Sequence, residues 1–209
     1  MKEISQSTRS RLPQYLTYLR EIAATSEAAS NISSAHIAEA LRLGEIQVRK
    51  DLAAVSGAGR PRIGYIIAEL IDDLEDFLGY NNISDAVVVG CGKLGRAILG
   101  YEGFSEYGLN IAAGFDTDFS KTGLRADGKE IMPMEKLTEY CLEKNIKVGI
   151  LTVPAPQAQA ACDRMIEAGI RAISNFSPVH ICVPQGIILK NEDIASSIAE
   201  LSKRLAYNN

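Results

Sequence analysis

Residues 85–89 read Asp-Ala-Val-Val-Val, a β-branched run without polar alternation, and Gly90-Cys91-Gly92-Lys93-Leu94-Gly95 follows it without a gap. A strand with no alternation is buried on both faces, so the chain must cover it with helices above and below. The glycines then have separate tasks. Gly90 permits a tight turn, Gly92 lets the main chain approach a pyrophosphate, and Gly95 lets helix and strand pack closely. The helix predicted over residues 95–99 offers amide donors and the positive end of its dipole to an anion. A second predicted strand, residues 109–115, runs into Asp116, which stands 26 positions after Gly90. A carboxylate there accepts from the adenosine ribose hydroxyls and repels a 2′-phosphate, which selects NAD(H) over NADP(H).

The units after Asp116 repeat the alternation. Strands are predicted over 147–153, 170–173 and 187–189, and helices over 156–168 and 193–205, which implies a parallel, doubly wound sheet. Two segments end strands on the edge where such sheets bind ligands. They are Leu151-Thr152-Val153-Pro154 and Asn175-Phe176-Ser177-Pro178.

Before residue 80 the period is helical. Leu12, Tyr15, Leu16, Leu19 and Ile22 form one apolar stripe. Ser33 or Ser34 caps a second helix with Ile37, Ala38 and Leu41 inward. Leu43-Gly44 breaks it, and a third helix starts near Glu45 with Ile46, Val48, Leu52 and Val55 inward. That outline is a helix-turn-helix. Residues 56–65 hold too much glycine and proline for a helix and suit a basic hairpin, which makes the domain a winged helix. Residues 66–78 form a further amphipathic helix with a solvated acidic face. Gln47, Arg49 and Lys50 lie on the polar side of the third helix near its start, where a recognition helix meets base edges and phosphates. Arg60 and Arg62 on the hairpin suit the backbone or the minor groove.

Charge divides along the same line. Residues 1–65 carry nine Lys and Arg against six Asp and Glu, and residues 66–209 carry thirteen against twenty, so a basic module precedes an acidic body. Four cysteines lie far apart with no Cys-x-x-Cys pair, and there are only two histidines, His36 and His180. This excludes a disulfide framework and a Zn site, and no metal is expected. No apolar run has a membrane span's length and no secretory core opens the chain, so a cytoplasmic protein without a membrane partner is expected.

Arg11-Leu12-Pro13 before a tyrosine-rich helix, Val48-Arg49-Lys50-Asp51-Leu52, the glycine turn, Phe115-Asp116, Leu151–Pro154 and Asn175–Pro178 together resemble the Rex family of bacterial redox-sensing transcriptional repressors. The resemblance runs in order over nearly the whole chain. It implies a homodimer with a winged helix at 1–80, a Rossmann domain at 81–190 and a domain-swapped dimerisation helix at 191–209. It implies binding to palindromic operator DNA, with release when NADH replaces competing NAD⁺, and no catalytic turnover. The rival reading is a small NAD-dependent oxidoreductase, for which the chain leaves no room for a substrate domain. The resemblance makes Arg49 and Lys50 groove readers, puts Tyr101 beside the nicotinamide, and makes Asp193 the aspartate that starts the swapped helix. Thr17 stands where some members have an arginine that pairs with that aspartate. The expected dinucleotide set is Gly90, Cys91, Gly92, Lys93, Leu94, Gly95, Tyr101, Asp116, Thr117, Asp118, Thr152, Val153, Pro154, Asn175, Phe176, Ser177 and Asp193. The expected DNA set is Arg11, Ser33, Ser34, Gln47, Arg49, Lys50, Arg60, Arg62 and Tyr65.

Overall fold

The computed structural model describes residues 4–25, 30–57, 59–60 and 63–207. They divide between two compact units, Met1–Asn82 and Ile83–Asn209. Arg62, placed in the DNA set, lies outside the described residues.

In the first unit α1 (Gln6–Thr25), α2 (Ser34–Leu41), α3 (Glu45–Val55) and α4 (Ile67–Leu78) enclose one core. Leu12, Tyr15, Leu16, Leu19, Ile37, Val48, Leu52, Leu70 and Leu74 fill it. Two short strands, β1 (Asn31–Ile32) and β2 (Tyr65–Ile66), pair antiparallel beside the helices. Arg60 and Gly64 exchange both backbone hydrogen bonds, at 2.8 and 2.9 Å, so the base of the wing is a tight hairpin. Ser33 is the N-cap of α2, accepting from the His36 amide at 3.1 Å. The turn into α3 differs from expectation. Arg42, not Gly44, takes the left-handed conformation that closes α2, while Gly44 is extended and caps α3. Ile46 also differs, being 63% exposed. It stands two positions before buried Val48, a spacing that puts the two on opposite sides of a helix.

The second unit contains β3 (Ser84–Val89), α5 (Lys93–Gly100), β4 (Leu109–Asp116), β5 (Arg125–Ala126), β6 (Lys129–Pro133), α6 (Leu137–Glu143), β7 (Val148–Leu151), α7 (Ala158–Glu167), β8 (Ala172–Asn175), β9 (Ile188–Asn191) and α8 (Ile194–Tyr207). The sheet order is β5-β6-β4-β3-β7-β8-β9, parallel except for the β5–β6 pair. Without the short β5 this is the doubly wound order in which the chain starts centrally and then reverses, leaving a crevice at the carboxyl ends of β3, β4 and β7. Successive residues of β3 serve opposite sides. Val87 and Val89 join the core under α6 and α7, while Ala86 and Val88 join the one under α5. That is why the run shows no alternation. The β6–α6 unit was not visible in the sequence, because Lys-Glu-Ile-Met-Pro is too short and too polar to read as a buried strand.

Candidate functional site

The crevice is built from the first turn outward. β3 ends at Val89, and Gly90 turns the chain with φ +96°. Thr152, at the end of β7, closes the turn from below by donating its Oγ1 to Gly90 O at 2.6 Å. Gly95 faces the same carbonyl, and a Cβ there would come within 1.9 Å of Gly90 O. Only a glycine lets α5 start this close to the turn. Gly92 is the N-cap of α5 and supplies no side-chain capping bond. The first-turn amides of α5 are therefore open to an anion. These features fit a pyrophosphate cradle.

A ribose-binding carboxylate at a strand end could stand in water, but Asp116 is only 8% exposed. Its Oδ2 accepts from the Cys91 amide at 2.7 Å and from Lys121 Nζ at 3.1 Å, and its Oδ1 accepts from the Asp118 amide at 2.8 Å. The carboxylate thus ties the end of β4 to the glycine turn. Removing it would disturb the turn as well as any ribose contact.

A cavity of about 780 Å³ opens beside the cradle, lined by Gly92, Phe115, Asp116, Thr117, Asp118, Lys121, Thr152, Val153, Pro154 and Arg164, and ending at Phe176 and Pro178. A second, of about 370 Å³, shares Phe176 and Pro178 and continues to Leu94, Ser177, His180, Asp193 and Ile194. Asn175 stands behind both and organises them. Its Nδ2 donates to Val179 O and Asn191 Oδ1, and its Oδ1 accepts from the Ser177 amide. Ser177 donates its hydroxyl to Val153 O at 2.7 Å, linking the β7 and β8 loops. Asp193 caps α8 by accepting from the Ser196 amide at 2.8 Å. Tyr101 is not brought to either cavity within the chain. It is 59% exposed, packs edge-on against Phe104 and borders a separate hollow with Glu102 and Lys129.

On the first unit, Gln47, Arg49 and Lys50 all face solvent along α3. Arg60 is exposed and lies 3.8 Å from Glu69. Arg11 does not stand free beside them. Its Nε and a terminal nitrogen donate to Asp51 at 2.8 and 3.1 Å, and Gln47, with its amide oxygen turned inward, accepts from Arg11 at 2.8 Å. Tyr15 and Thr8 also donate to Asp51, at 2.8 and 3.0 Å. Tyr65 is a core residue whose ring lies under Gly59, so the structure gives it a packing task beneath the wing.

Two family models match the chain, "Putative DNA-binding protein N-terminus" over residues 3–53 and "CoA binding domain" over residues 81–179. The redox-sensing transcriptional repressor Rex of Treponema denticola is 41% identical, covering 91% of this chain and 90% of that protein. The repressor of the same name from Syntrophomonas wolfei is 39% identical over 99% of this chain and 98% of its own length. The chain belongs to the Rex family. Among solved structures, a Rex-family repressor, RSP, in complex with β-NAD⁺ and operator DNA superposes with a TM-score of 0.91 at 33% identity, covering all of this chain and 95% of that one. Its complex with β-NADH superposes at 0.87 and 32% identity, with 100% and 97% covered.

In this Rex chain several residues that build the sites had no sequence signal on their own. Lys121, Arg164 and Met134 line the larger cavity. Asp51, Tyr15 and Thr8 hold α3 against α1, and the partners lie 36 and 43 positions apart. The one available clue was an aspartate on the inner face of an amphipathic helix, which needs a buried partner. The sequence also holds one pair with the spacing of a dehydrogenase's catalytic tyrosine and lysine. Tyr140 and Lys144 have the Tyr-x-x-x-Lys spacing, but Tyr140 packs edge-on against Phe115, and neither residue lines either of the two cavities described above.

The Asp51 cluster yields an expected result for this Rex chain. Burial raises the Asp51 pKa, but the hydrogen bonds from Arg11, Tyr15 and Thr8 outweigh it and hold the value below the ordinary one. Its stabilising effect is complete above the unfolded value of about 3.9 and is lost as pH falls through the lower folded value. Asp51→Ala should therefore flatten the acid side of the pH–stability profile. It should also cost about 3 kcal/mol in urea unfolding at neutral pH, the low end for breaking a buried pair, because Arg11 keeps 20% of its side chain in water. A loss below about 0.5 kcal/mol, the range of an exposed ion pair, would show that the cluster contributes little to stability.

Proposed function

We infer that this chain is a redox-sensing transcriptional repressor. It holds palindromic operator DNA as a homodimer, lets go when NADH occupies its Rossmann cavity, and works in the cytoplasm without catalytic turnover. The observation that carries this is the full-length likeness to a repressor structure that holds β-NAD⁺ and operator DNA together. The open amides of Gly92–Gly95 hold the pyrophosphate. Asp116, with Thr117 and Asp118, receives the adenosine ribose. Thr152, Val153 and Pro154 wall the path, and Phe176, Ser177 and Asp193 line the nicotinamide end. Tyr101, exposed and lining neither cavity in one protomer, belongs with the nicotinamide of a dimer. The two oxidation states share adenosine and pyrophosphate, so only the nicotinamide end can favour one state of the dimer over the other.

On the DNA side, Arg49 and Lys50 enter the major groove. Ser33, Ser34, Gln47 and Arg60 complete the contact surface, and Arg11 steadies α3 through Asp51. Fluorescence anisotropy on upstream DNA tests the reading, with NADH and NAD⁺ titrated separately. NADH should release the DNA and NAD⁺ should retain it, and release by neither would reject the sensor. Affinity should fall with salt at a log–log slope of about −0.9 per phosphate contact. Lys50→Ala should cost about 1–3 kcal/mol and relax base preference, and undiminished specific binding by that variant would take α3 out of the groove.

A further inference from the structure

The adenosine end of the cavity is not the bare acidic site that its position at the end of β4 suggests. Lys121 Nζ lies 3.1 Å from Asp116 Oδ2 and 3.4 Å from Asp118 Oδ2, and all three side chains line the same cavity. Two carboxylates and one ammonium leave a single net negative charge where the aspartates alone would leave two. Hydrogen bonding to Asp116 raises the Lys121 pKa against the opposing effect of burial, so the ammonium persists at neutral pH. The hydrogen-bonding capacity of Asp116 is also largely taken. Three donors already reach it, and a carboxylate has about four lone-pair sites. A ribose diol arriving there needs two acceptors, so it meets Asp116 with Lys121 as a competitor and neighbour.

We propose that Lys121 is a specificity-determining residue. Its ammonium offsets the Asp116 charge that would reject a 2′-phosphate, and so narrows the preference of the site for NADH over NADPH. The proposal rests on reading the cavity as an NAD(H) site. A 2′-phosphate at the ribose would bring its charge within reach of Nζ, whereas a 2′-hydroxyl makes no comparable demand on an ammonium. Removing the ammonium therefore penalises NADPH selectively.

The test is isothermal titration of NADH and NADPH, separately, into the full-length wild type, Lys121→Met, Lys121→Gln and Lys121→Arg, with the Tm of each recorded. The ratio of NADPH to NADH dissociation constants should rise tenfold or more in the Met and Gln variants, chiefly through weaker NADPH binding. In Lys121→Arg it should stay within threefold of wild type. Raised salt should erode NADPH binding by wild type more than by Lys121→Met. A wild type that takes NADPH no better than Lys121→Met, or a loss shared equally by both dinucleotides at unchanged Tm, overturns the proposal. A wild type that binds neither dinucleotide overturns the reading of the cavity itself.

Discussion

Ending the chain after Glu192 is expected to give a monomer and to abolish operator binding at concentrations where the full chain binds. The cut removes α8 but keeps β9 in the sheet, together with Glu192, whose amide bonds Asn175 O at 2.8 Å. α8 carries Ile194, Ile198, Leu201 and Leu205 on one stripe, and all four are exposed in the single chain. Burying such a side chain stabilises by about 1.5–3 kcal/mol, so a helix exchanged between two copies gathers enough apolar surface to hold a dimer. Two linked recognition helices gain about 10²–10⁴ in affinity over one, and the cut forfeits that gain. Light scattering and anisotropy on the same preparation check both effects. A truncated protein that stays dimeric would place the interface on the sheet unit rather than on α8.

Gly95→Ala should abolish the response to NADH while leaving operator binding intact. The added Cβ would come within 1.9 Å of a backbone carbonyl, Gly90 O, and 2.8 Å of Thr152 Oγ1. Neither can swing away, since Thr152 is bonded to that carbonyl and its own amide to Val89 O. α5 must therefore retreat from the turn, and its open amides lose their aim at the pyrophosphate. Overpacking of this kind costs about 1–3 kcal/mol of stability. Dinucleotide affinity should fall a hundredfold or more, because the proposed phosphate contacts all come from the start of that helix. Titration of NADH followed by fluorescence checks this. Retention of wild-type affinity would show that the cradle is not where the dinucleotide sits.

What was legible in the sequence was whatever is local. The valine run, the glycine turn and the amphipathic stripes each state their structure within about ten residues. α1, α4, α7 and α8 accordingly lie within a few residues of where periodicity puts them. Residues whose task depends on distant partners were misread. Tyr65 looked like an aromatic on a basic hairpin, yet the fold turns its ring into the core. Arg11 is expected in the DNA set, but Asp51, 40 positions away, holds it. The sequence puts Asp116 at the end of a strand but does not show that the Cys91 amide, 25 positions earlier, donates to its carboxylate. Lys121 was passed over because a lysine in a loop carries no periodic signature. Its meaning appears only when the loop folds back on Asp116.

The thiol of Cys91 faces inward at the heart of the nucleotide turn, 3.6 Å from Phe115 O, and burial, with the nearby Asp116 charge, pushes its pKa up to about 12. Oxidants such as peroxide react with the thiolate, and this group supplies almost none. The glycine turn thereby keeps its own thiol out of peroxide chemistry. Among the four cysteines only Cys182 is exposed, so peroxide arriving at this protein meets a thiol outside the nucleotide turn.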